Sequence, residues 1–570
     1  MRALCFLTLV VAAVAAAPDS LRATDDPNDP AFDYTFPDGF YFSSATASYQ
    51  VEGAWNASGK GENIWDRTTH EHPELVLDRS NGDIACDSYH KFKEDIQLVK
   101  ELGSNMYRFS LSWSRLLPKG TIDVKNDDGI RYYNDVIDEC IANNIIPMVT
   151  IFHWDLPQPL QDLGGFTNDI IVDFFQDYAD FVFQTFGDRV KWWLTLNEPW
   201  TTCVEGYGNG GKAPVVLAEG RGDYLCAHNS LKAHARAYRL YETKYKQSQQ
   251  GKVGFAANSD YFWPKDPNNA DDVAAAQRWM QFNWGWFTHP VFSKEGNYPQ
   301  DMIDYIDAAS TKQGLARSRL PKFTAEEIEM IKGSADFCGV NSYTSTVVAQ
   351  LQPSDPQPEV GTRASDAAIV TSRDPSWEAT IAPWHYVVPT GLRKLLNWIR
   401  TEYDNPNVII TENGYPDSGQ LKDVNRVRYY RLYILELLKA MTEDKCNVFG
   451  YTAWSLMDNY EWFYGYAHKF GIYHVDFEDP NRPRTQKMSA KFYQRLIATR
   501  KVPRDGDIVF PDDPTSTARP ATTARPNTSA TRAATSTARS ATDALPNSSA
   551  SIGGVMTLVL VATLLSLLGC

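Results

Sequence analysis

The sequence is poor in cysteine, with 8 among 570 residues and no CxxC pair. Zinc ribbons and related structural sites need such pairs, so no metal is expected. Basic side chains are outnumbered, 55 Lys and Arg against 70 Asp and Glu, for a formal charge of −15. No basic stripe is available to neutralise phosphates, which excludes nucleic acid as a partner. A Gly-rich phosphate loop and a Ser-His-Asp set are both missing, and no cofactor is expected. What the chain has instead is aromatic residues, 13% of the total, within a hydrophobic content of 43%. That composition and length suit a large buried core.

The two ends read differently from the middle. Arg2 and Ala3 are followed by LCFLTLVVAAVAAA, an apolar run closing in small residues, so residues 1–17 are expected to be a secretory signal peptide. Cys86, Cys140, Cys203, Cys226, Cys338 and Cys446 remain in the globular part. An oxidising compartment permits disulfides but does not fix a pairing. Cys203 and Cys226 flank one loop region and are the first choice; buried free thiols are the alternative. Residues 514–554 hold no aromatic side chain and repeat the fragment STAR. Such a stretch cannot bury enough apolar area to offset chain entropy, and reads as a disordered, O-glycosylated stalk. Sequons stand at Asn56, Asn527 and Asn547. Residues 555–570, VMTLVLVATLLSLLGC, are shorter than the ~20 residues of a usual spanning helix. Small residues, a polar spacer and an apolar tail form a glycosylphosphatidylinositol signal, with attachment expected near Thr542 or Asp543. A short true membrane span is the alternative. The chain is therefore expected at the extracellular face of the cell membrane, lipid-anchored, or secreted.

Between these ends, over residues 33–503, strand and helix patterns alternate eight times without a linker-like break. The strands are GFYFSSATAS, NMYRFSLSW, IPMVTIFHW, KWWLTLNE, KVGFAANS, ADFCGVNSYTS, NVIITEN and VFGYTAWSL. Helical stretches such as DSYHKFKEDIQLVKELG, with Gly103 as C-cap, separate them. The expected fold is α/β, a single (β/α)8 barrel with long loops at the C-terminal strand ends; residues 350–380, rich in Pro, Ser and Asp, read as one such loop.

Active sites of such barrels form where strands end. Those ends bring Gln50, Glu52, Arg108, His153, Trp154, Asn197, Glu198, Asn341, Tyr343, Glu412, Asn413 and Trp454 to one rim, with Asp458, Glu461 and Trp462 in the last loop. A lone strand-end Glu is more often a salt-bridge partner than a catalyst; the convergence is what carries meaning. Glu198 and Glu412 can face each other across a closed ring. Two facing carboxyl groups can cleave a glycosidic bond, one protonating the leaving oxygen and the other attacking or stabilising the anomeric carbon. Trp154, Trp454 and Trp462 supply flat faces for a sugar; Gln50, His153, Asn197 and Glu461 supply hydroxyl partners.

The blocks FYFSSATASYQVEGAW, YRFSLSWSR, FHWDLP, LNEP, ITENG, AWSLMDNYEW and DPNRPRTQKMSAKFY resemble, in order, those of glycoside hydrolase family 1, the β-glucosidase family, and point to a secreted, animal-type member. The resemblance implies a retaining β-glycosidase that removes terminal β-linked glucose, with galactose and fucose as further glycones, by double displacement. It implies Glu198 as acid/base and Glu412 as nucleophile. Asn197, Gln50, His153, Glu461 and Trp462 would read the sugar hydroxyls, with Trp454 as floor. Arg108 and Tyr343 would support the nucleophile, and Trp384 would line the aglycone side. Pro416 and Thr390 depart from the family pattern at positions that it places near the aglycone. Glu461 would repel a phosphate, which excludes 6-phosphoglycosides. The alternatives are a thioglucosidase and a catalytically silent carbohydrate-binding protein on the same fold. The expected partner is a small glycoside or oligosaccharide, with no nucleic acid and a membrane contact through lipid.

Overall fold

The computed structural model describes residues 26–510. The expected signal peptide, stalk and anchor signal lie outside them. Each segment read as a strand forms one: β1 (Tyr41–Ala45), β2 (Met106–Ser110), β3 (Ile146–Phe152), β4 (Trp192–Asn197), β5 (Lys252–Asn258), β6 (Phe337–Asn341), β7 (Val408–Asn413) and β8 (Val448–Trp454). All are parallel, each pairs with its sequence neighbours, and β8 returns to β1, which closes the barrel. The principal crossover helices are α1 (Ser88–Leu102), α2 (Asp127–Ala142), α3 (Ile171–Phe186), α4 (Gly222–Leu240), α5 (Ala325–Ile331), α6 (Pro389–Glu402), α7 (Val424–Thr442) and α8 (Met488–Thr499). Gly103 ends α1 at φ 76°, the left-handed cap its sequence predicts.

Alternation along the strands divides the apolar residues into two cores. Met106, Met148, Trp192, Leu194, Phe337 and Ile409 point into the ring. Trp192 packs there against Phe449 and Phe337, at ring separations of 5.2 and 5.3 Å. Their outward neighbours, such as Trp193, Val149 and Ile410, belong to the layer between sheet and helices. This apolar plug fills the barrel interior and leaves polar groups to collect at the C-terminal strand ends.

Several expectations change. The first strand stops at Ala45 and the chain turns into a helical turn, Ser48–Val51, so Gln50 comes from that turn and not from the strand. Glu52 and Asp458 are not site groups. Glu52 is buried against Arg115, at 2.8 Å, and the Tyr133 hydroxyl; Asp458 pairs with Lys487 at 2.7 Å. Residues 350–380 are not simply a loop. Ser345–Gln350 joins Tyr261–Pro264 and Ile369–Ser372 in a three-stranded sheet, and Arg363–Ala367 is helical. These elements are too short to show a period, and the sheet depends on pairing with a segment more than 80 positions away. Cys203 and Cys226 form a disulfide, whereas Cys86, Cys140, Cys338 and Cys446 are buried thiols. Asn56 is exposed in a turn. No helix among the described residues is long and apolar enough to cross a membrane.

Candidate active site

A cavity of about 1080 Å³ opens at the C-terminal end of the ring. His153, Glu198, Tyr343, Trp384, Glu412, Trp454, Glu461 and Trp462 line it, as the rim reading expects. Arg108, Asn197 and Gln50 are buried beside it and hydrogen-bond to the lining residues Glu412, His153 and Glu461. Pro416 and Thr390 do not line it.

Two slips in strand register aim the key side chains. On β4, Trp192 and Leu194 point inward, and strict alternation would send Asn197 outward. The pairing with β5 shifts between Leu194 and Asn197, and Asn197 turns inward. On β7, Ile409 points inward, so Glu412 should point out. The pairing with β6 shifts between Ile410 and Glu412, and that with β8 between Ile410 and Asn413. Glu412 thereby reaches the cavity. A bulge that re-aims a side chain beside a site is a recurring device, because the side-chain period of a strand is two.

Glu198 follows β4 in a left-handed conformation, φ 45°, ψ 66°. Such a backbone costs about 1–2 kcal/mol for a residue with a Cβ. The Glu198 amide donates to the Ala256 carbonyl at 2.8 Å, and the Glu198 carbonyl accepts from the Thr202 amide at 3.0 Å. Pro199 takes the first position of the turn Pro199–Thr201, where a missing N–H loses no hydrogen bond and the fixed φ suits the helix. The proline after the glutamate thus helps hold a bent exit from the strand.

The two carboxyl groups have different surroundings. Glu412 Oε1 accepts from Arg108 Nη1 at 2.7 Å, and Oε2 accepts from the Tyr343 hydroxyl at 2.7 Å. Arg108 also donates to the Thr411 carbonyl at 2.9 Å and to Asn197 Oδ1 at 2.5 Å. Glu198 has no cation in hydrogen-bond reach. Its Oε1 accepts from Asn341 Nδ2 at 2.8 Å and its Oε2 from Thr201 Oγ1 at 2.8 Å. Burial pushes the Glu198 carboxyl up to about 8, and the negative charge of Glu412 adds to the rise. Glu198 thus keeps its proton near neutral pH, while both carboxyl oxygens of Glu412 are held by donors, one of them a cation.

The rest of the wall is set by neighbours. Trp462 lies 4.6 Å from Trp154, and His153 stacks near Trp454 at 5.9 Å. Burial, with Arg108 adding to it, holds the His153 imidazole well below its ordinary range, so the ring is neutral. Its Nε2 meets Asn197 Nδ2 at 3.1 Å. Gln50 Nε2 is divided among Asn459 Oδ1, the Tyr460 carbonyl and Glu461 Oε2, while its Oε1 has no partner. Burial pushes Glu461 up to about 7, against the pull of the Lys212 charge. Two contributors have no role assigned to them by sequence reasoning. Asn341, read only as a strand end, bridges Asn197 Oδ1 and Glu198 Oε1. Thr201 is legible only as a hydroxyl one helical turn from Glu198. No group of three His, Cys, Asp or Glu among the described residues is arranged to hold a metal ion.

Comparison with known proteins agrees with this geometry. The sequence profile of Glycosyl hydrolase family 1 matches residues 32–502. Myrosinase 1 of Brevicoryne brassicae is 50% identical over 470 residues, covering 82% of this chain and 100% of that one. Cytosolic β-glucosidase of Homo sapiens is 46% identical, covering 81% and 98%. A rice β-glucosidase, solved in a covalent complex with glucose, superposes with a TM-score of 0.76 at 39% identity, covering 81% and 98%. A closed parallel barrel, two unlike carboxyl groups at its mouth and a profile match across the whole barrel lead to one conclusion: the chain belongs to glycosyl hydrolase family 1.

Proposed function

We propose that this chain hydrolyses terminal β-glucosides, with retention of configuration, through Glu412 as nucleophile and Glu198 as acid and base. The observation that carries the reading is the asymmetry of the pair. Glu412 is paired with Arg108 and hydrogen-bonded by Tyr343, and can attack the anomeric carbon. Glu198, held protonated, can give its proton to the departing oxygen and later take one from water. Asn197, His153, Gln50, Glu461 and Trp462 bind the glycone over Trp454, and Trp384 lines the side where the leaving group sits. Galactosides and fucosides are the further substrates.

Loss of the nucleophile tests this directly. Glu412→Ala is expected to lower kcat by at least 10³-fold, because covalent attack is lost. Added azide should restore turnover and yield a glycosyl azide of inverted configuration. Near-normal turnover by this variant would end the assignment.

Glu198→Gln should hurt glucosides with poor leaving groups at least tenfold more than activated aryl glucosides, since only the former need a proton to depart. In the wild type the acid form of Glu198 persists up to about pH 8. Activity is therefore expected to fall as pH rises through that value, and kcat/KM against pH should show this limb. Equal losses on both substrate types would give Glu198 another role.

A thioglucoside is the second substrate class, favoured by the 50% identity to Myrosinase 1. Glu198 remains available as the acid in this chain, so O-glucosides are expected to turn over faster than thioglucosides on the purified enzyme. The reverse order would make the thioglucosidase reading the better one.

The same proposal extends to location. A signal peptide over residues 1–17, a stalk over 514–554 and a lipid-anchor signal over 555–570 would hold the enzyme at the outer cell surface. The Cys203–Cys226 disulfide supports an oxidising compartment. Membrane-held activity should be released by a phosphatidylinositol-specific phospholipase C, and a tag after Cys570 should be absent from mature enzyme. A retained tag on membrane-held enzyme points to a transmembrane segment, and soluble enzyme with its stalk intact points to simple secretion.

A further inference from the structure

Arg363 is a buried cation on the cavity wall that makes no hydrogen bond. Arg363 is 7% exposed and lines the cavity, yet no nitrogen of its guanidinium donates to a protein acceptor. Nε and Nη1 are sealed off without partners. The charge of Arg363 is matched by a buried ion pair with Asp223, whose Oδ2 lies 3.7 Å from Nε, beyond hydrogen-bond reach, and is itself without a hydrogen bond. A buried donor left unpaired costs about 1–3 kcal/mol, more when charged. By contrast Arg373, another arginine on this wall, donates to the Ser345 carbonyl and to Thr346 Oγ1.

The guanidinium is held in place by other means. Its carbon lies 4.9 Å from the Trp200 ring and 5.6 Å from the Trp279 ring, and both indoles line the same cavity. The backbone on either side is tied down as well. Arg319 donates to the Gly361 carbonyl at 2.9 Å and forms an ion pair with Asp366, which also accepts from the Tyr224 hydroxyl at 2.7 Å. Thr362 caps the turn that begins at Arg363. Trp200 Nε1 is a further buried donor without a partner. Of the guanidinium nitrogens only Nη2 is neither sealed off nor hydrogen-bonded, so Nη2 is the donor left for an acceptor that the protein itself does not supply.

The position says which part of a substrate arrives there. Trp200 stands two residues after Glu198, the group that protonates the departing oxygen in the reading above, on which this step rests. Atoms beyond that oxygen on the Trp200 side belong to the leaving group. The wall elsewhere carries Glu74, Glu205, Asp260, Glu412 and Glu461 together with Arg79, Lys212 and Arg373. Lys212 lies 3.7 Å from Glu205 and Arg373 3.5 Å from Asp260, whereas Arg363 is the cation held between Trp200 and Trp279, and the carboxylates at the sugar end repel an anion from there. We propose that Arg363, stacked between Trp200 and Trp279, forms a leaving-group subsite for an aglycone that bears an oxyanion, such as an aryl carboxylate.

The test compares two β-glucosides on the full-length enzyme, that of 4-hydroxybenzoate and that of its methyl ester, which differ in charge and little in shape. The quantity read is the ratio of kcat/KM, carboxylate over ester. Wild-type enzyme should use the carboxylate at least as well as the ester, despite the acidic wall. Arg363→Gln should lower the ratio at least tenfold, mostly through KM, and Arg363→Lys should keep most of it. A ratio that falls less than threefold in the Gln variant overturns the proposal. So does a wild type that prefers the ester more than tenfold, a result that needs no variant to fold. Absence of turnover on either substrate by wild type would instead remove the glycosidase reading itself.

Discussion

Arg108 organises the floor of the site. One guanidinium reaches β2, β3, β4 and β7 at once, through its own backbone, Thr150, Asn197 and the Thr411–Glu412 pair. It is 1% exposed, so its charge must be matched inside the protein. Glu412 supplies the match, and the planar fork fixes where that carboxylate lies. Asn197 receives the other arm and passes the constraint to His153 and Asn341. Asn341 in turn holds Glu198. A displacement of Arg108 would therefore move both carboxyl groups, although it touches only one.

That arrangement also explains how two glutamates in one cavity hold different charge states. The cation and the phenol are both spent on Glu412. Glu198 is left with an amide and a hydroxyl, and burial then favours its neutral form. The neighbouring Glu412 carboxylate adds to the rise at Glu198. Removing water from the site strengthens every term in this balance, and the apolar plug beneath, with Trp192 at its centre, keeps water from entering through the barrel.

Much of this was legible in the sequence because it depends on short-range pattern. Apolar runs that end in polar residues mark barrel strands, and KWWLTLNEPW shows the strand, its exit and its carboxylate in ten letters. The convergence of Glu198 and Glu412 follows once eight units close into a ring. Other parts could not be read that way. The register slips in β4 and β7 exist only between paired strands, so no single segment displays them. Gln50 was placed on a strand that in fact ends five residues earlier, because SSATAS continues the alternation while its backbone turns. Glu52 and Asp458 looked like rim groups until their partners, Arg115 and Lys487, were seen. Arg363 sits in a stretch without period, and its isolation from other hydrogen-bonding groups is a property of the folded wall alone.

The three-stranded sheet of residues 261–264, 345–350 and 369–372 stands outside the ring of eight. The sheet and the short helix beside it carry part of the cavity wall, through Thr346, Thr371 and Arg363, whereas Glu198 follows β4, Glu412 lies on β7, and Gln50, His153 and Glu461 follow β1, β3 and β8. The two glutamates and the outer sheet therefore rest on separate scaffolds, one in the ring and one beside it. Under the mechanism proposed above, a change of length or composition in residues 345–385 would reshape the mouth of the cavity and leave the strands that hold Glu198 and Glu412 in place.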